Sequence, residues 1–183
     1  MAKTHIDELV DYPAKVILKL ANDKNCLSLL KNKIDISEED IDDALLNNIF
    51  DYEYVDKTTT SAEAYIWVEA DVPYVSNKTI KGMAIYVTIA CHKQFMKLDN
   101  RIFKGLMGNR RDNIARFVDL ILNDNFDFGI GKLSLKSVKT LSSSNSNFTM
   151  RELAYAVPDF NIKENIDEIG VSWFIKWRTD IYK

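Results

Sequence analysis

The chain has 183 residues, 46% hydrophobic and 28% charged, with a net charge of −3. That composition suits one compact soluble domain with peripheral elements. It gives no global basic excess that would call for nucleic acid, and the longest apolar runs fall far short of a membrane span.

The two cysteines, Cys26 and Cys91, form no CxxC or Cys/His cluster, and isolated thiols of this kind point to a reducing compartment. The opening MAKTHIDELVDYP has no basic stretch followed by an apolar one, so no signal peptide is expected and the chain reads as made in a cytosol.

In chain order, Ile6 to Ala21 carries apolar residues near helical spacing: Ile6, Leu9, Val10, Val16, Ile17 and Leu20. Pro13 lies inside that pattern, so either the helix starts there or two pieces meet. A short apolar piece, Cys26 to Leu30, follows. Ser37 and Asp40 then form a capping pair for a helix from Glu38 to about Asn48, with Glu38, Glu39 and Asp40 in the first turn and Ile41, Leu45 and Ile49 as its apolar stripe. Between Asp35 and Asp71 there are twelve acidic residues and one basic one, Lys57. The run is either a solvated helix and strand edge or a docking face for a basic partner.

DYEYVDKTTTS reads as a loop. Ala62 to Asp71 alternates apolar and polar residues, which predicts a half-buried strand, with Trp67 on its polar side. That tryptophan is either covered by the N-terminal helices or part of an interface. Pro73 to Lys78 reads as a turn or loop. Thr79 to His92 is apolar or small on both faces, the mark of a central strand. Lys93 to Met107 reads as an irregular connection with a helical turn, bounded by Gly105 and Gly108.

Asn109, with Asp112 three residues on, caps a helix whose packed face is Ile114, Phe117, Val118, Ile121 and Leu122. Arg110, Arg111, Arg116 and Asp119 are assigned to its other side. Gly131 to Leu141 and Phe148 to Val157 read as a hairpin joined by a flexible SSSNSN loop and ended by Pro158. Val171 to Trp177, VSWFIKW, reads as a last strand or a docking segment. The expected fold is α+β: an antiparallel sheet of about four strands flanked by helices, with an N-terminal helical segment. The expected organisation is a single domain with an acidic helical part over 1–60, a sheet-and-helix core over 61–161 and an extension over 162–183.

Catalytic signatures are missing. His5 and His92 have no partner at metal-ligand spacing, and no GxSxG, HExxH or GxxxxGK[ST] occurs. Gly129-Ile130-Gly131 lacks the further glycine and the helix of a dinucleotide fingerprint. Glu63, Glu69 and Asp71 on one strand, with His92-Lys93 at the end of the next, allow a Mg²⁺-dependent nuclease reading, although the spacing is a poor match and alternating acids also keep a sheet soluble.

Eight positive charges lie between Arg101 and Lys139, against four acids. Arg110 and Arg111 open a helix, where positive charge meets the positive end of the dipole. An acidic partner would explain them. It would be nucleic acid bound by a small module using the 101–139 stretch, or the acidic Asp35–Asp71 region of a neighbouring copy in a head-to-tail contact.

The order of a long central strand, the RRDNIARFVDLIL helix, the GKLSLKSV strand, a polar loop and the FTMRELAYAVPDFN strand resembles the tail-terminator (tail-completion) proteins of tailed bacteriophages and, more broadly, head–tail neck proteins. The resemblance covers Ile66 to Asn161. It places no counterpart for Met1 to Thr60 or for VSWFIKW. It implies a non-enzymatic virion protein without a cofactor or metal, made in the host cytoplasm and assembled as a six-membered ring. Such a ring terminates the tail tube, meets the head connector and touches DNA only in its lumen. Charge and position nominate Arg110, Arg111, Arg116, Lys132, Lys136 and Arg151 as subunit contacts.

Overall fold

A computed structural model of the chain describes residues 7–76, 80–125 and 132–160. Three helices come first: α1 (Asp7–Ala21), α2 (Lys24–Lys31) and α3 (Glu38–Asn47). Helix α1 runs unbroken through Pro13, so it neither starts there nor divides into two pieces. Asp23 caps α2 by accepting from the Cys26 amide, and Asn32 ends it in the left-handed conformation at φ 55°. Ser37 and Asp40 form the expected reciprocal capping box on α3.

The sheet has five strands in the order β1-β2-β3-β5-β4: β1 (Ile49–Phe50), β2 (Ala64–Ser76), β3 (Ile80–His92), β4 (Ser134–Leu141) and β5 (Phe148–Phe160). Four of them pair antiparallel, and β3 is central as its two apolar faces require. The short β1 was not expected; it adds parallel to β2 at Ile66 and Trp67. Its apolar pair follows α3 directly, so the period-based reading absorbs it into the helix stripe.

Both prolines taken as strand ends lie inside strands. β2 continues past Pro73 to Ser76 with a register shift between Asp71 and Tyr74. β5 continues past Pro158, which pairs with Gly82, to Phe160. In both places one side of the strand has no described neighbour, since β1 reaches only Trp67 and β4 reaches only Ala156. A residue without an amide hydrogen is tolerated on such an edge or at a bulge.

A 3₁₀ turn (Lys93–Phe95) and an irregular stretch lead from β3 to α4 (Arg110–Leu122). Gly105 and Gly108 take φ of +85° and +87°, which side-chain-bearing residues rarely adopt. The helices cover one face of the sheet. Val16, Leu20, Leu27, Leu30, Ile114, Val118 and Leu122 pack there with Ile66, Val68, Ile85, Val87, Ile89 and Leu153.

The sheet has a second, smaller core on its other face. Phe50, Val55, Tyr65, Trp67, Ala90, Phe148 and Met150 are buried together there. Tyr54 stacks on Phe50 with ring centroids 4.2 Å apart and tilts against Tyr65 at 5.0 Å. Trp67 is therefore covered by this cluster and not by the N-terminal helices. The hairpin loop is also tied down, contrary to its polar, flexible reading. Asn145 is buried, and its amide donates to the carbonyls of Asp56 at 2.9 Å and Thr59 at 2.8 Å.

Candidate subunit-contact surface

The six nominated basic residues lie in three different environments. Arg110 is the most enclosed, only 2% exposed, and it is among the largest fully buried side chains. Its assignment to the solvent side of α4 is corrected. The Nε donates to the Phe95 carbonyl at 2.8 Å, Nη1 to the Leu29 carbonyl at 2.6 Å and Nη2 to the Asn32 side-chain oxygen at 2.7 Å. The guanidinium also lies 4.0 Å from the Phe95 ring centroid. Every hydrogen bond it makes among the described residues goes to a carbonyl oxygen, and no carboxylate pairs with it. Burial pushes its pKa below the ordinary guanidinium value.

These acceptors explain why a helix that opens on arginine is stable. Leu29 is in the last turn of α2 and Asn32 is its C-cap, so Arg110 sits at the negative end of a second helix. The positive start of α4 is thereby docked on the carbonyl end of α2. The acceptors that the sequence reading sought in an outside partner are supplied from within the chain.

Arg111 is 8% exposed and also leaves the solvent-facing group. It shares the Asp112 carboxylate with Arg151 of β5: Arg111 Nε donates to Oδ1 at 3.0 Å and Arg151 Nη2 to the same oxygen at 2.8 Å. The second oxygen, Oδ2, accepts from the Asn109 amide at 2.7 Å. Burial raises the Asp112 pKa, but Asn109, Arg111 and Arg151 outweigh it and hold the carboxyl below its ordinary range. This cluster ties the start of α4 to β5. Asn113, not singled out from the sequence, adds a further clasp by donating to the carbonyls of Met107 and Asn109 at 2.9 and 2.8 Å. Its only sequence signal is its place in the first turn beside Gly108.

Arg116, Lys132 and Lys136 do face solvent. Lys132 forms a surface ion pair with Asp124 at 2.7 Å, and Lys136 donates to the Ser134 hydroxyl at 3.2 Å. On the acidic side, Asp40 pairs with Lys33, and Asp43 pairs with Lys31, whereas Glu38, Glu39 and Asp42 are exposed.

The acids of the nuclease reading do not converge. Glu63 precedes β2 and accepts from the Asn48 side-chain amide at 3.5 Å, whereas Glu69 and Asp71 lie within the strand, in register with Tyr86 and Ala84. His92 is buried edge-on to Phe148 and its Nδ1 accepts from the Gln94 amide at 3.2 Å. Among the described residues no three of His, Cys, Asp and Glu come together as a group able to hold a metal ion. No helix of the described residues is long and apolar enough to cross a membrane. The 171–177 segment and Gly129 to Gly131 lie outside the described residues.

Helices on one face of a mostly antiparallel sheet, with the basic side chains divided between internal clasps and solvent-exposed positions, define a helix-backed sheet scaffold. The chain belongs to the YomW family, a phage-associated family whose match spans residues 17–157. Its fold is similar to that of a chain in the virion of a native gene transfer agent (GTA) particle, with a TM-score of 0.52 and 11% identity, over 87% of this chain and 100% of that chain. No curated protein matches it.

Proposed function

We propose that this protein is a structural component of a phage-like virion, assembling as a ring that terminates the tail tube and joins it to the head connector. The observation that carries this reading is the likeness to a virion chain over that chain's whole length, in a protein of a phage-associated family. The ring and its place at the tail end follow from the resemblance of the Ile66–Asn161 pattern to tail terminators.

The opposed charges support a head-to-tail contact between copies. Arg116, Lys132 and Lys136 offer cations to solvent, and Glu38, Glu39 and Asp42 on α3 offer carboxylates. Heterologous contacts of this kind close into rings when the rotation permits. In this reading Arg110, Arg111 and Arg151 serve the contact indirectly, by fixing the start of α4 on which Arg116 is carried.

The test is the mass of the purified full-length protein at high concentration, by native mass spectrometry and sedimentation, with particles imaged by electron microscopy. A closed oligomer that dissociates in Arg116→Glu with Lys136→Glu supports the proposal. A monomer both alone and mixed with the tail-tube protein of the same virion overturns it.

A further inference from the structure

Residues 51–63 join β1 to β2 without helix or strand. Connections of that length are uncommon inside a compact domain and are mostly functional. The side chains of this one are exposed, except for Val55, which is buried, and Thr59, which is half-buried. Val55 is 1% exposed and joins Tyr65, Trp67 and Phe148 in the second core. Tyr54 adds its stacking on Phe50. The sheet beneath is held by its own ladders, since β2, β3 and β5 pair with one another.

The segment carries a turn built from its own residues. The Asp56 carboxylate accepts from the Thr58 amide and hydroxyl, both at 2.7 Å, and from the Thr59 amide at 3.1 Å. This turn presents the Asp56 and Thr59 carbonyls to one side-chain amide, that of Asn145. Asn145 is held in turn by its own hairpin loop. Its side-chain oxygen accepts from the Asn147 amide at 3.0 Å, its backbone amide donates to the Ser143 hydroxyl at 3.1 Å, and its carbonyl accepts from the Phe148 amide at 3.1 Å. A preformed donor therefore meets a preformed pair of acceptors. Nearer β2, Ser61 hydrogen-bonds Tyr65.

We propose that residues 51–63 are a strap that opens and closes as a unit, with Asn145 as its latch. Closed, it seals the second core. Open, it uncovers Tyr65, Trp67, Phe148 and Met150 while the sheet and the main core stay intact. Segments with few buried apolar side chains open at a fraction of the free energy of global unfolding. One buried valine and two latch hydrogen bonds place this strap in that class. The chain thus offers an aromatic surface only in the open state.

The test uses the full-length chain carrying Val55→Cys, which places a thiol under the strap. Its reaction with an aromatic disulfide reagent is followed by peptide mass spectrometry. Cys26 and Cys91 are buried in the main core and report global unfolding. The introduced thiol is expected to react at least about tenfold faster than either, yet at least about tenfold more slowly than in the urea-unfolded chain. A net hydrogen bond is worth about two- to twelvefold in an equilibrium, so Asn145→Ala is expected to accelerate the introduced thiol at least about fivefold with an unchanged circular-dichroism spectrum. Ser37→Ala acts on a cap that stays intact when the strap opens. It is expected to accelerate Cys26 and Cys91 about fivefold and to leave the introduced thiol within about twofold. An introduced thiol that reacts in step with Cys26 and Cys91 overturns the proposal, as does one that reacts at the unfolded rate. No acceleration in Asn145→Ala, or loss of the fold in that variant, also overturns it. None of these readings depends on ring assembly.

Discussion

Replacing Arg110 by alanine removes the clasp between α2 and α4. Three charge-assisted hydrogen bonds of 2.6, 2.7 and 2.8 Å are lost, together with a ring contact at 4.0 Å. Each such bond contributes about 1.5–3 kcal/mol, but the desolvation of a buried guanidinium costs several kcal/mol and offsets much of that sum. What remains in the variant is a cavity and two carbonyls, of Leu29 and Phe95, deprived of a donor. The expected loss is about 3–5 kcal/mol, from about 1–3 kcal/mol for each of the two carbonyls left without a donor together with the cavity. Against a total stability of about 5–15 kcal/mol this is a large fraction. At this chain length it lowers Tm by about 6–20 °C. Urea denaturation followed by tryptophan fluorescence and circular dichroism measures it. Arg110→Lys keeps the charge but not the planar fork, and is expected to recover less than half of the loss. An Arg110→Ala variant within about 1 kcal/mol of the parent refutes the clasp. Such a variant that also failed to self-associate would restore Arg110 to the surface role its sequence position suggests.

Other perturbations report on neighbouring features. Ser37→Ala opens the α3 capping box by removing the hydroxyl oxygen that accepts from the Asp40 amide at 3.3 Å, and is expected to cost about 1 kcal/mol, read as a Tm drop of about 2–4 °C. Asp112 has a depressed pKa in the folded chain, so its contribution to stability is whole above about pH 4 and is lost as the pH falls further toward the folded value. Urea titrations at stepped pH should therefore show Asp112→Asn with a shallower loss of stability below about pH 4 than the parent; parallel curves count against the Asn109–Arg111–Arg151 cluster. Burial pushes the Cys91 thiol up to about 12 and raises that of Cys26 still further, so neither should react with a thiol reagent at neutral pH until the chain unfolds. Arg116→Glu with Lys136→Glu should leave urea stability within about 0.5 kcal/mol of the parent, because both residues are exposed, while changing oligomer mass.

Local signals carried a large part of the architecture. The caps Ser37/Asp40 and Asn109/Asp112 are complete within four residues, and α3 and α4 start where they predict. Alternation over Phe148 to Val157 marks β5, and two apolar faces mark β3 as central. The prolines misled, because Pro73 and Pro158 forbid a strand only where both edges are paired, and pairing is not a local property.

The contact surface was legible as charge but not as placement. Arg110 and Arg116 look alike in sequence, six residues apart on one helix, yet one is buried and the other faces solvent. What separates them is the α2 terminus, 81 residues from Arg110 along the chain at Leu29. Likewise, the second core joins Phe50 and Trp67 to Phe148, and Asn145 anchors a loop 89 residues earlier at Asp56. Sequence alone thus determined those elements whose hydrogen bonds and apolar periods are satisfied within a turn or a strand. Tertiary structure decided which cations became internal donors, which face received a second core and where a proline was tolerated, because each depends on a partner that only folding brings near.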